Sequence, residues 1–368
     1  MGSGDAPSGF GIDPESIEWF RYPRVAAHPR GRPWLESQVL LGLAPHTVEA
    51  YGRGAEDFLA FCERAGVDAV AASRETILQY VGDLRGRPAK RGRRGADVSS
   101  ASGLANATMQ QRLTAVRLFY DFLIEEKVRD TNPVGRGRFT PGKAAFRTRA
   151  DRGMLPRQHA LPWIPTDQQW RELLLVARSE PIRNRCMLAF AYDAGLRREE
   201  LCSLASDDLD PAHRTLRVRA ETTKGKRQRT VPYSASAGEL LRQYLSHRRS
   251  MSRERGPLFL SESRRNYGSP ITLWTWSKVV QGMADRAGLP RFSTHTLRHL
   301  CLTDLARAGW EIHEIATFAG HRNTTTTQQY IHLSARDLAQ RMERGMDQIH
   351  AWRMRLLAAE FGQDEIES

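Results

Sequence analysis

Two runs stand close together late in this chain: His295-Thr296-Leu297-Arg298-His299, and His321-Arg322-Asn323-Thr324-Thr325-Thr326-Thr327-Gln328-Gln329-Tyr330. In the first, His295 and Arg298 are three apart, which on a helix puts both on one face and within reach of the same anion. His299 points about 100° round that helix and is expected only to support them. In the second, His321 follows Gly320, where backbone can approach a ligand closely, and a tyrosine closes the run. A phenol of pKa about 10 is mostly protonated at neutral pH. It attacks well only beside a hydrogen-bonding base and positive charge.

Upstream, Arg197 follows Gly195-Leu196, where a chain turn can aim its side chain into a cleft, and Glu200 is placed one turn on to fix the guanidinium. Thr223-Lys224-Gly225-Lys226 reads as a hinge between strand signals at 215–220 and 229–233. A phosphodiester repels nucleophiles, so a protein that cuts one must hold it, neutralise its equatorial oxygens and protonate the leaving oxygen. Arg197 and Arg298 suit the non-bridging oxygens. Lys224, with Lys226 as its rival, suits the leaving oxygen, because partial desolvation beside another cation lowers a lysine pKa. Tyr330 suits the attack. Nothing in this set calls for a metal or a cofactor.

The composition points to the same partner. A net charge of +13 and a pI near 10.0 call for a polyanion, and nucleic acid is the first choice because Lys and Arg release its condensed counterions. Four scattered cysteines form no Cys-x-x-Cys pair, so a zinc site or disulfide framework is not expected. No apolar run is long enough to span a membrane, and the expected location is the cytoplasm, on the nucleoid when bound to DNA.

Residues 1–35, rich in Gly, Pro and Arg, read as an arm. A helical domain is expected over 36–133, with helices capped by Thr47 and Ser73 and a third from about Thr108. A basic insert, 85–105, interrupts it and carries Arg91, Arg93 and Arg94. Residues 134–161 form a basic linker with Lys143, Arg147 and Arg149. Fully extended it reaches roughly 90 Å at about 3.3 Å per residue, enough to pass along a duplex whose turn is about 34 Å. A second domain is expected over 162–333, opened by a Thr166–Gln169 capping box, with a short edge strand at 258–261. A helical tail, 334–368, ends the chain.

The ordered set Arg197, Lys224, His295, Arg298, His321 and Tyr330 resembles the tyrosine recombinase (phage integrase) family. The resemblance covers roughly residues 40–335 and is strongest in the second domain. Thr47–Phe61 and the run from Thr108 through Arg112 and Arg117 to Asn132-Pro133 resemble the family's core-binding domain. Ala319, Leu300, Leu302 and Arg198 depart from the family pattern without removing a reacting group. The resemblance implies a mainly α fold: a helical-bundle core-binding domain, then an α+β catalytic domain with a small antiparallel sheet. It implies a site-specific recombinase that cleaves and rejoins duplex DNA through a 3′-phosphotyrosine, integrating, excising or transposing a mobile element; resolving replicon dimers is a further role. A homo-tetramer on DNA, accessory recombination proteins and a tail that docks in cis or in trans go with it. Arg112, Arg117 and Lys226 join the expected DNA contacts. The alternatives are a type IB topoisomerase-like nicking-resealing enzyme and a non-catalytic DNA-binding regulator.

Overall fold

The computed structural model describes residues 14–87, 103–134, 154–155, 161–223 and 227–334. Contacts divide the chain into two units, Met1–His159 and Ala160–Ser368. Of the residues expected to act or to contact DNA, Arg91, Arg93, Arg94, Lys143, Arg147, Arg149, Lys224 and Lys226, and with them the expected tail beyond residue 334, lie outside the described residues.

In the first unit α1 (Pro23–Ala27) and α2 (Gly31–Leu40) precede α3 (Pro45–Ala65), α4 (Arg74–Gly86) and α5 (Asn106–Glu125). Helix α3 starts two residues before the expected cap at Thr47, because Pro45 sits in its first turn with φ already fixed for a helix. Gly66 ends it in the left-handed conformation, φ 64°. Ser73 caps α4 in a reciprocal box with Thr76, as its sequence indicates. Helices α3 and α5 touch at Gly54, where a Cβ would stand 2.7 Å from that of Ala115. Around that contact the rings of Phe58 and Tyr80, and of Trp34 and Phe119, meet edge to face at 5.2 and 5.4 Å.

The expected arm needs correction from Pro14 onward. Tyr22, Val25, Trp34 and Leu35 are buried in this core, so their apolar area holds a segment whose Gly/Pro/Arg composition reads as loose. Arg112 is also turned to internal use. It pairs with Asp57 at 2.6 Å, as Arg87 does, and Tyr80 donates to the same carboxylate. Arg117 lies half-buried on α5.

The second unit runs α6 (Asp167–Ala177), α7 (Ile182–Asp193), α8 (Arg198–Cys202), β1 (Leu209–Asp210), β2 (Thr215–Val218), β3 (Arg229–Pro232), α9 (Ala235–Met251), α10 (Leu273–Arg286), α11 (Thr294–Arg307), α12 (Ile312–Ala319) and α13 (Thr325–Ser334). Thr166 and Gln169 form the expected capping box of α6. The strands make one antiparallel sheet in the order β1-β2-β3, with Leu216 opposite Val231 and Val218 opposite Arg229. The strand expected at 258–261 gives only an isolated bridge, Leu260 to Pro270; the third strand is Leu209–Asp210 instead. Leu216, Val218, Phe190, Trp276, Leu297 and Leu302 share one buried core, so the sheet, α7, α10 and α11 form a single support for whatever they carry. The fold class is the expected one, mainly helical with a small antiparallel sheet.

Candidate active site

A buried carboxylate organises the cations. Glu200 is the third residue of α8, and its Oε2 accepts from the Arg197 backbone N–H at 2.9 Å, the reach-back that a glutamate makes at a helix start. Its Oε1 takes the Arg197 guanidinium at 2.7 Å. Arg229, which sequence reasoning passed over, grips both oxygens, at 3.1 and 2.7 Å. Arg298 stands 3.9 Å away. Burial alone would raise the Glu200 pKa, but the bonds to Arg229 and then Arg197 outweigh it and hold the carboxyl at about 2. One carboxylate therefore faces three guanidiniums, an excess that a phosphate would neutralise.

The arginines differ in what they have left to offer. Arg298 on α11 is buried. It donates to the carbonyls of Gly195 and Ala319, each at 2.5 Å, and to His321 Nε2 at 3.1 Å. Three of its five N–H donors are thus spent on the turns flanking the site. Burial, and then Arg197, lower its pKa to about 10. The Arg197 side chain keeps 26% of its surface exposed, and is the better placed of the two to meet an incoming anion. Gly195, φ 55°, brings the end of α7 against Phe318 and Cys301; a side chain there would be strained and crowded.

Arg298 can only donate, so Nε2 of His321 is an acceptor. The His321 proton then sits on Nδ1, 2.9 Å from the Thr327 hydroxyl. Burial, followed by Arg298 and Arg197, lowers the His321 pKa to about 3, which fits a neutral ring. That ring stacks on Tyr330, centroids 6.1 Å apart and planes within 10°. Tyr330 itself is 1% exposed, and its Oη lies 3.0 Å from Nδ1 of His299. Burial raises the phenol pKa against the pull of Arg298 and Arg197. His299 is lowered to about 4 by burial, His295 and Arg298.

His299 is therefore closer to the tyrosine than its supporting assignment implied. The 100° offset from Arg298 turns it toward α13, while Arg298 faces the α7–α8 turn and the end of α12. His295 stands at the exposed start of α11. Desolvation, then Arg198, Arg298 and Arg197, lower its pKa. The structure thus gathers Arg197, Glu200, His295, Arg298, His299, His321 and Tyr330 in one place. Arg229 could have been found from its charge on a short strand next to the lysine-bearing hinge, a costly place for an arginine without a partner.

A mixed catalytic unit that surrounds a buried tyrosine with arginines and imidazoles is built for phosphoryl chemistry on a polyanion. The chain belongs to the phage integrase family, whose sequence model matches residues 165–336, and is a tyrosine recombinase, a DNA strand-transfer enzyme for site-specific recombination. It is similar to the tyrosine recombinase XerD of Corynebacterium glutamicum, 29% identical over 320 residues, with 85% of this chain and 96% of that one covered. It is 30% identical over 306 residues to XerD of Caulobacter vibrioides, covering 80% of this chain and 88% of that one. Among solved structures, the XerH site-specific recombinase bound to a palindromic difH substrate, in a post-cleavage complex, superposes with a TM-score of 0.60 at 17% identity. That match covers 91% of this chain and 88% of the other.

Proposed function

We propose that Tyr330 attacks a DNA phosphate held by Arg197, Arg298, His295 and His321, its phenolic proton passing to an imidazole of the site as the P–O5′ bond breaks, leaving a 3′-phosphotyrosine and a free 5′-hydroxyl. Lys224 protonates the leaving oxygen. The observation that carries this reading is the buried Tyr330 hydroxyl, 3.0 Å from His299 and stacked on the imidazole that Arg298 holds. Such an environment keeps the phenol neutral and away from water until DNA arrives. Attack then requires α13 to carry Tyr330 out toward Arg197. The covalent bond conserves the energy of the phosphodiester, so rejoining to a second strand needs no other energy source. The partner is duplex DNA with a specific site, gripped by both units. Two protomers on each of two sites form a homo-tetramer, and the setting is integration, excision or transposition of a mobile element.

The test starts from a duplex selected out of a random-sequence library by the Tyr330→Phe protein, then nicked near the bound centre so that cleavage cannot reverse. The unaltered protein traps a covalent adduct on it; Tyr330→Phe binds with similar affinity and traps none. An adduct that survives Tyr330→Phe overturns the assignment. Mapping occupied sites in cells that carry the gene tests the setting. Paired sites at the ends of a mobile segment support it, and one solitary chromosomal site favours dimer resolution.

A further inference from the structure

Arg229 opens β3, yet its guanidinium is committed inside the site. Nε donates to the Phe318 carbonyl at 2.9 Å, while Nη1 and Nη2 take the two oxygens of Glu200. The side chain is 8% exposed and Glu200's is fully enclosed. From the opposite side the turn after α12 presses on it: a Cβ at Gly320, φ 62°, would stand 3.1 Å from Nη1 and 3.2 Å from Cδ. One side chain thus ties together the sheet, the start of α8 that presents Arg197, and the turn that presents His321. With so little exposed surface, Arg229 acts through these neighbours.

We infer that Arg229 is a positioning residue for strand cleavage, fixing the separation between Arg197 and the His321–Tyr330 pair across one phosphate. This rests on the assignment of Tyr330 as nucleophile. Without Arg229, the buried Glu200 keeps Arg197 on Oε1 at 2.7 Å, but its Oε2 has Arg298 as the next guanidinium, 3.9 Å away. Turning toward Glu200 would draw Arg298 off the Gly195 and Ala319 carbonyls that set its place. Misplacement on the order of 1 Å costs about 10²-fold in rate. Lysine cannot replace this arginine, because one ammonium does not span two carboxylate oxygens and a carbonyl in a fixed plane.

The experiment uses the full chain and the nicked duplex selected with Tyr330→Phe, comparing the single-turnover rate of adduct formation at saturating protein with the Kd for the same duplex. Arg229→Lys is expected to cleave about 10²-fold more slowly with an unchanged Kd, both read below the variant's melting temperature. Because the two residues share a contact, Arg229→Lys combined with Glu200→Gln is expected to lose less than the product of the two single losses. If Arg229→Lys does not fold, Gly320→Ala crowds the same guanidinium and is expected to slow cleavage while binding is kept. Cleavage at the unaltered rate by Arg229→Lys, or by Gly320→Ala where the lysine variant does not fold, overturns the inference. So do losses that multiply in the double variant, or a Kd that rises by the same factor as the rate falls. If the unaltered chain forms no adduct, the Tyr330 assignment fails and this inference with it; an adduct formed unslowed by Arg229→Lys removes this inference alone.

Discussion

At the scale of the residue, the site stores neutral imidazoles beside arginines, and that has a pH signature. His321 and His299 have pKa values of about 3 and about 4 in the folded chain, against 6.5 ordinarily. Between those limits the unfolded chain binds protons that the folded one refuses. The stabilisation is complete above about pH 6.5 and is lost as pH falls toward 4 and then 3. Each histidine contributes a slope of up to about 1.4 kcal/mol per pH unit. Urea unfolding followed by circular dichroism between pH 7.5 and 5 should show stability falling, and His321→Gln should make that fall shallower. A profile in the variant as steep as in the unaltered protein would contradict burial of a neutral His321. Glu200 adds a second limb of the same sign, from 4.5 down to about 2, because its folded pKa is depressed by Arg229 and Arg197.

At the scale of the element, the α3–α5 contact is the tightest test of the first unit. Gly54 leaves no room for a side chain against Ala115, so Gly54→Val forces the helices apart. The expected cost is about 1–3 kcal/mol, read as a lower denaturation midpoint; an unchanged midpoint would show that the helices separate freely. Elements were legible where local chemistry decides them. The Ser73 and Thr166 caps, the Gly66 and Gly195 stops and the β2–β3 hairpin strands all follow from residues within a few positions of one another. What was not legible depends on distant partners. Residues 14–40 are ordered by burying Trp34 and Val25, which their own composition does not announce. β1 has only two residues, too few to show alternation, and 258–261 pairs too little to form a strand. At the site the spacing of His295, Arg298, His321 and Tyr330 was readable. The reach of His299 to Tyr330 and of Arg229 to Glu200 was not, since each is set by how α13 and β3 meet α11 and α8.

At the scale of the whole molecule, the question is where the surplus positive charge is available. Many acids within the described residues are spent on neighbouring arginines: Glu49 with Arg21 and Arg53, Asp83 with Arg64 and Arg87, Asp208 with Arg217 and Arg219. The net +13 then depends heavily on stretches whose sequence offers cations with few acids, among them Arg91, Arg93 and Arg94. A duplex bound through such charges releases about 0.9 counterion per phosphate neutralised. The slope of log affinity against log salt therefore counts the contacts. For the selected duplex, fluorescence anisotropy between 50 and 200 mM salt should give a slope corresponding to roughly 6–10 phosphates, a loss of about 10³–10⁵ in affinity. Replacing Arg91, Arg93 and Arg94 together by Gln should make that slope shallower by about 3 and leave the melting temperature unchanged. Adduct formation at saturating protein should also be unchanged, because none of these residues is among those proposed for the chemistry. An unaltered slope would remove the insert from the DNA contacts. A lowered cleavage rate at saturation would instead tie the insert to the chemistry, contrary to a role in binding alone.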